Sequence, residues 1–129
     1  MNNVNKYEKY KSQTISVQTA GEQLILLFDE ACISLNKAIF CIEAKDISGS
    51  HNSLMKAQSI YQYLIDSLDF NFTISNSLFS LYSFILDKLI EANMKKDPKL
   101  LKWVLDNTSQ LRDTWKNADK LSRTQGAAG

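Results

Sequence analysis

The stretch NSLFSLYSFILDKLIEANMKKDP, residues 76–98, and its continuation KLLKWVLDNTSQLRDTW, residues 99–115, spell out two helices and the turn between them. In the first half Leu78, Tyr82, Ile85, Leu89 and Ala92 step four, three, four, three. In the second half Leu101, Val104, Thr108, Leu111 and Trp115 step three, four, three, four. Alternating threes and fours place one stripe of a helix against other helices. Asp97-Pro98 between the halves is a start signal. An Asp side chain accepts from the orphan N–H groups of a new helix, and Pro fits its first turn, where no N–H is needed.

The same rhythm extends towards the N-terminus. Leu24, Phe28, Ala31, Leu35, Ala38 and Ile42 form one stripe, widened by Leu27, Cys32 and Ile39. Leu54, Ala57, Tyr61, Leu64 and Leu68 form another. Four helices are therefore expected, over about 20–45, 51–68, 74–94 and 98–121. Thr19 and Glu22 have capping-box spacing. Asp46-Ile47-Ser48-Gly49-Ser50 reads as a turn, with Gly and Ser supplying the break and the next cap. In the connection at 69–73, Asn71 and Thr73 are candidate caps. Short connections force neighbouring helices to run up and down. The expected fold is all-α: an antiparallel four-helix bundle over 20–122, a short N-terminal arm over 1–19 and a flexible tail over 123–129.

Composition sets the bounds. The chain has 129 residues, 44% of them hydrophobic, enough for one domain with a real core. Four Gly and one Pro favour long helices over a many-turned β-fold. Fifteen basic against fourteen acidic residues, a net charge of +1, argue against a dedicated nucleic-acid binder. No apolar run suggests a signal core or a membrane span, so a cytoplasmic protein is expected. Cys32 and Cys41 are nine residues apart on one helix, hence on opposite faces and unable to bridge each other there. Unpaired thiols suit a reducing compartment.

Catalytic and metal chemistry find little support. The single histidine, His51, sits beside a turn, and no Glu stands three residues before it. That spacing excludes the Glu-x-x-His ligand pattern of di-metal bundles. The cysteines lack zinc-site spacing, and no nucleophile elbow or Gly-rich phosphate loop is present. No enzyme, metal or cofactor is expected. The alternative of a small helical enzyme or metalloprotein is disfavoured by the lone histidine.

What remains is surface. The third helix carries ten apolar residues between Ile74 and Ile90, more than one stripe can use. Either it is the most enclosed helix of the bundle, or the N-terminal arm or a partner covers the excess. On pattern alone, enclosure is the simpler reading. In the polar arm, Tyr7 and Tyr10 are three residues apart and would share a face of a helical turn. They read equally as a docking pair or as incidental tyrosines in a tail.

Taken in order, a set of residues resembles a family pattern. It comprises Tyr7-x-x-Tyr10, Thr19-Ala20, Leu24-Ile25 with Leu27-Phe28-Asp29, and Asn52-x-Leu54-x-Lys56-Ala57-x-x-Ile60 with Leu68-Asp69. It continues with Asn76-x-Leu78-x-x-Leu81-Tyr82-x-Phe84, Leu89-x-x-Ala92-Asn93, Asp97-Pro98 and Leu111-Arg112-x-x-Trp115. The order and spacing are similar to those of the FliS flagellar export chaperones. Two positions depart: Gly21 stands where the family often has Ser followed by Pro, and Phe28 where it commonly has tyrosine.

The resemblance implies a four-helix bundle that binds newly made flagellin in the cytoplasm. It would hold the disordered C-terminal segment of flagellin against premature polymerisation and keep it competent for flagellar type III secretion. Components of the export gate are implied as further partners. The partner-binding positions expected are Tyr7 and Tyr10 on the arm, and Leu78, Leu81, Tyr82 and Ile85 on the third helix. The family's arm tyrosines are thought of as part of a cap near the flagellin groove. The alternative within the same class is a helical adaptor or regulator of another flagellar protein. Exposed apolar grooves would also allow two copies to pair while substrate is absent.

Overall fold

The chain was described from a computed structural model, which defines residues 19–128. Tyr7, Tyr10 and the rest of the arm before Thr19 lie outside the described residues. Four helices follow: α1 (Ala20–Glu43), α2 (Ile47–Asp66), α3 (Ile74–Lys95) and α4 (Pro98–Ala128). Among the described residues no strand occurs. Each helix packs on two neighbours: α1 on α2 and α4, α3 on α2 and α4.

Side-chain pairs give the directions. Asp29 meets Arg112 at 3.4 Å, while Glu22, seven residues earlier on α1, meets Arg123, eleven residues later on α4. Those helices are therefore antiparallel. The expected all-α bundle is the observed one.

Two of the three turns are built alike. Lys45 (φ 61°) and Lys96 (φ 51°) take the left-handed conformation that ends a helix. The N–H of the next residue then returns to the preceding helix: Asp46 to the Cys41 carbonyl at 2.7 Å, Asp97 to the Ala92 carbonyl at 3.1 Å. Each Asp then caps the following helix. Asp46 accepts from the Gly49 N–H at 2.9 Å, and Asp97 from the Lys99 and Leu100 N–H groups at 3.0 and 3.3 Å. So α2 begins at Ile47, four residues before the expected start, and Gly49 is not the breaker. It lies inside α2, where a β-carbon would collide with the Asp46 carboxylate and sit 3.0 Å from Cys41 Sγ.

Three further expectations are corrected at the ends. Thr19 does accept from the Glu22 N–H at 3.1 Å, but the Glu22 carboxylate pairs with Arg123 on α4. Thr73 at the start of α3 makes no side-chain capping bond. Ser75 ties that turn instead, donating to the Asp69 carbonyl at 2.5 Å. α4 continues to Ala128, past the expected end at Leu121. Nothing in Ser122-Arg123-Thr124 breaks a helix, and loss of apolar periodicity marks only the loss of a packing partner.

The core is the set of stripes read from the sequence. Phe28, Leu35, Leu54, Tyr61, Ile85, Leu89, Leu101 and Val104 are fully or almost fully buried. At mid-bundle, Tyr82 of α3 sits between Phe28 of α1 (ring centroids 6.2 Å) and Tyr61 of α2 (6.3 Å). Tyr61 reaches Thr108 of α4 at 2.6 Å, so one layer joins all four helices. Cys32 and Cys41 are both buried although they point opposite ways. Cys32 faces the side of α1 covered by α4, where Arg112 acts on it, and Cys41 faces Gly49 of α2.

Candidate functional site: an open apolar end and the two flanks of α3

The outermost residues of the stripes decide where the bundle opens. Leu24 begins the α1 stripe, Leu68 ends that of α2, Leu78 begins that of α3 and Trp115 ends that of α4. Antiparallel packing brings all four to one end. There they are half-buried rather than buried, and they wall a cleft of about 280 Å³. Leu27, Leu64 and Tyr63 complete its apolar lining, and Tyr82 closes the floor. Gln23, Ser67 and Asp69 supply a polar rim. Ala20, the first residue of α1, lines the cleft as well.

Trp115 and Tyr82 are linked there by a hydrogen bond in which the indole N–H donates to the phenol oxygen. Burial raises the Tyr82 pKa, against the lowering effect of that bond. The phenol stays neutral and the cleft carries no charge on its floor.

The second feature is α3 itself. It is not the most enclosed helix, which corrects the simpler reading of its apolar excess. Leu81 and Phe84 lie exposed on the side facing α4, where Phe84 meets the edge of Trp103 at 5.8 Å between centroids. The Lys88 ammonium lies 5.7 Å from the centre of the same Phe84 ring. On the opposite flank, Phe79 and Ile90 are exposed three turns apart, with Met94 one turn further. Phe79 packs on Phe70 of the preceding turn at 6.0 Å. Met55 of α2 is also exposed.

Against this geometry the expected partner-binding residues separate. Leu78 lines the cleft and Leu81 is exposed beside it. Tyr82 and Ile85 belong to the core, at 2% and 0% exposure, so a partner reaches Tyr82 only through the cleft floor and Ile85 not at all in this state. Phe79, Phe84, Ile90 and Trp103 have the exposed apolar character that sequence reasoning assigned elsewhere. Their signal was available for α3, where they fall outside the four-three stripe. Trp103 lay beside the α4 stripe without any mark that it was uncovered.

No arrangement for covalent chemistry is formed by the cysteines. Burial pushes the Cys32 thiol up, only partly offset by the Arg112 guanidinium, and holds it in the protonated, non-nucleophilic form. Among the described residues no group of three His, Cys, Asp or Glu side chains is placed to hold a metal ion. Among them, too, no helix is long and apolar enough to cross a membrane.

Comparison with known proteins agrees over nearly the whole chain. The family model described as flagellar protein FliS matches residues 2–122. The flagellar secretion chaperone FliS of Bacillus subtilis (strain 168) is 30% identical over 119 residues, covering 92% of this chain and 90% of that protein. A crystal structure of a flagellar chaperone from bacteria superposes with a TM-score of 0.74 at 18% identity, covering 92% of this chain and 98% of that one. At that identity the superposition speaks for the fold alone.

Proposed function

Because this chain belongs to the FliS family of flagellar proteins, we propose that it is a non-enzymatic cytoplasmic chaperone for flagellin. It takes up the disordered C-terminal segment of flagellin and holds it from polymerising until export. The observation that carries this reading is the uncovered apolar surface of α3, continuous in sequence with a cleft that α1, α2, α3 and α4 all line. A segment that is disordered when free can fold as helices against such grooves, exchanging ordering entropy for a large buried area. Neutral walls and a polar rim suit an amphipathic segment better than a charged one. Release needs no chemistry in this chain, only reversibility or a pull from the export machinery, whose gate components are the further partners of this reading.

In the free protein Tyr7 and Tyr10 cover the cleft, and flagellin displaces them. The support is the position of Ala20, at the start of α1, in the lining of a cleft of aromatic size and polarity. Calorimetric titration of the full chain with a peptide covering the C-terminal region of its cognate flagellin tests the main reading. One-to-one binding with a strongly negative heat-capacity change is expected, since apolar burial gives that signature. Absence of binding by the folded chain overturns it and favours an adaptor with another flagellar partner. Removal of residues 1–18 tests the arm: unchanged peptide affinity and unchanged binding of an apolar dye would eliminate its capping role.

A further inference from the structure

α4 runs on for about three turns past Trp115, and those turns have no apolar hold on the bundle. From Lys116 to Thr124 every residue is exposed except Asp119. What ties this end down is ionic. Arg123 meets the Asp119 carboxylate at 3.1 Å on its own helix, and the Glu22 carboxylate across on α1. Asp119 in turn lies against Gly21, where a β-carbon would collide with its carboxylate. Gly21 does not take a positive φ, so its small size serves this close approach. Exposed ion pairs add little to global stability. A helix end without tertiary contacts is marginal in water, however, so even a weak tie decides where it lies.

The tie stands at an edge of the cleft that the backbone leaves unconnected. At this end the turn over 67–73 joins α2 to α3, whereas no turn joins α1 to α4. The first turns of α1 are shared: Ala20, Gln23 and Leu24 line the cleft, while Gly21 and Glu22 receive α4. On α4, Trp115 lines the cleft one turn before Asp119. At about 280 Å³ the cleft falls below the roughly 300–1,000 Å³ of small-ligand pockets. It takes side chains, but the backbone of a partner segment enters only if a wall moves. We propose that Glu22, Asp119 and Arg123 form a latch on this wall. Closed, it holds the end of α4 on the first turn of α1 and keeps the cleft narrow. Released, the α1–α4 edge parts and a helical segment enters. The latch rests on the chaperone reading for the nature of that segment.

Hydrogen exchange of the full chain, followed residue by residue by NMR, tests this without any partner. Two groups report: the backbone amides of 117–123, and the indole N–H of Trp115, which is bonded to Tyr82 in the cleft. In Arg123→Gln both are expected to exchange at least threefold faster, while the mid-bundle amides of Leu54 and Leu89 keep their rates. Raising salt from about 0.05 to about 1 M should speed both groups in the wild type and leave Arg123→Gln unmoved, because screening removes what the variant already lacks. Gly21→Ala should act in the same direction as Arg123→Gln, its β-carbon displacing Asp119. Glu22→Arg and Arg123→Glu each release the latch, and together restore wild-type exchange to within about twofold. Unchanged exchange in Arg123→Gln overturns the proposal. So does faster exchange confined to 117–123, which is fraying with no effect on the cleft, or a double reversal no better than either single one. The flagellin peptide should bind Arg123→Gln at least threefold more tightly than wild type, and equal affinity overturns the gating. A wild-type chain that binds no peptide removes the chaperone reading and leaves the latch to be decided by exchange, so the two failures are distinct.

Discussion

Thr108 has one hydroxyl hydrogen, and it is donated to the Val104 carbonyl at 2.7 Å. In the 2.6 Å contact with Tyr61, then, the phenol is the donor and Thr108 the acceptor. Tyr61→Phe removes that donor from a fully buried site and leaves an unmet acceptor. A loss of about 1–2 kcal/mol is expected, read as a lower urea midpoint with unchanged slope. The same tyrosine contributes to a fall in stability at alkaline pH. Burial raises its pKa above the ordinary value of 10.0, and Tyr82 is shifted in the same direction by the same cause. The folded state thus holds the phenolic protons more tightly than the unfolded chain. Their contribution is intact below pH 10 and declines as pH rises above it, at up to about 1.4 kcal/mol per pH unit for each group. Tyr61→Phe should flatten the fall in stability between pH 10 and 12 relative to wild type. Tyr61 and Thr108 were both legible as stripe members. Their pairing was not, because it joins diagonal helices 47 residues apart.

At the scale of elements, Lys-Asp is the recurring device: the lysine ends one helix in the left-handed region and the aspartate begins the next. The second copy of it, at 96–97, was legible because Pro98 follows. The first was obscured by Gly49 and Ser50, which look like turn residues but are accommodated within α2. Lys45 occupies the left-handed position, and its side chain has no partner among the described residues. Glycine adopts that conformation without the β-carbon penalty. Lys45→Gly is therefore expected to stabilise the protein by up to about 1 kcal/mol, a rise in thermal midpoint of a few degrees by calorimetry. Should the midpoint fall instead, the turn is held by something other than backbone conformation.

At the scale of the molecule, the apolar surface of the chain is sorted onto separate faces. The flanks of α3 and the end cleft serve one proposed interface, while Leu26, Ile33 and Phe40 stay exposed on the outer face of α1. Phe84→Ser should weaken flagellin-peptide binding at least tenfold in calorimetry while costing less than about 1 kcal/mol of stability, because Phe84 is half exposed and packs mainly on Trp103 and Lys88. Leu81→Asp should act in the same direction. A Phe84→Ser protein that binds with wild-type affinity would place the flagellin contact elsewhere on the surface.

Helix number, helix direction and most of the core were determined by the sequence alone, since a four-three stripe can be buried only as a helix face and short turns leave only antiparallel neighbours. The order and spacing of its residues likewise resemble the family pattern without any tertiary information. Tertiary structure alone decided which apolar residues remain uncovered. Leu81 and Leu86 are chemically identical and both fall outside the four-three stripe of α3, yet Leu86 packs partly buried against the core and Leu81 is exposed. The difference lies in how far each neighbouring helix extends over α3, and that distance is set by the packing of four helices together, not by the period within any one of them.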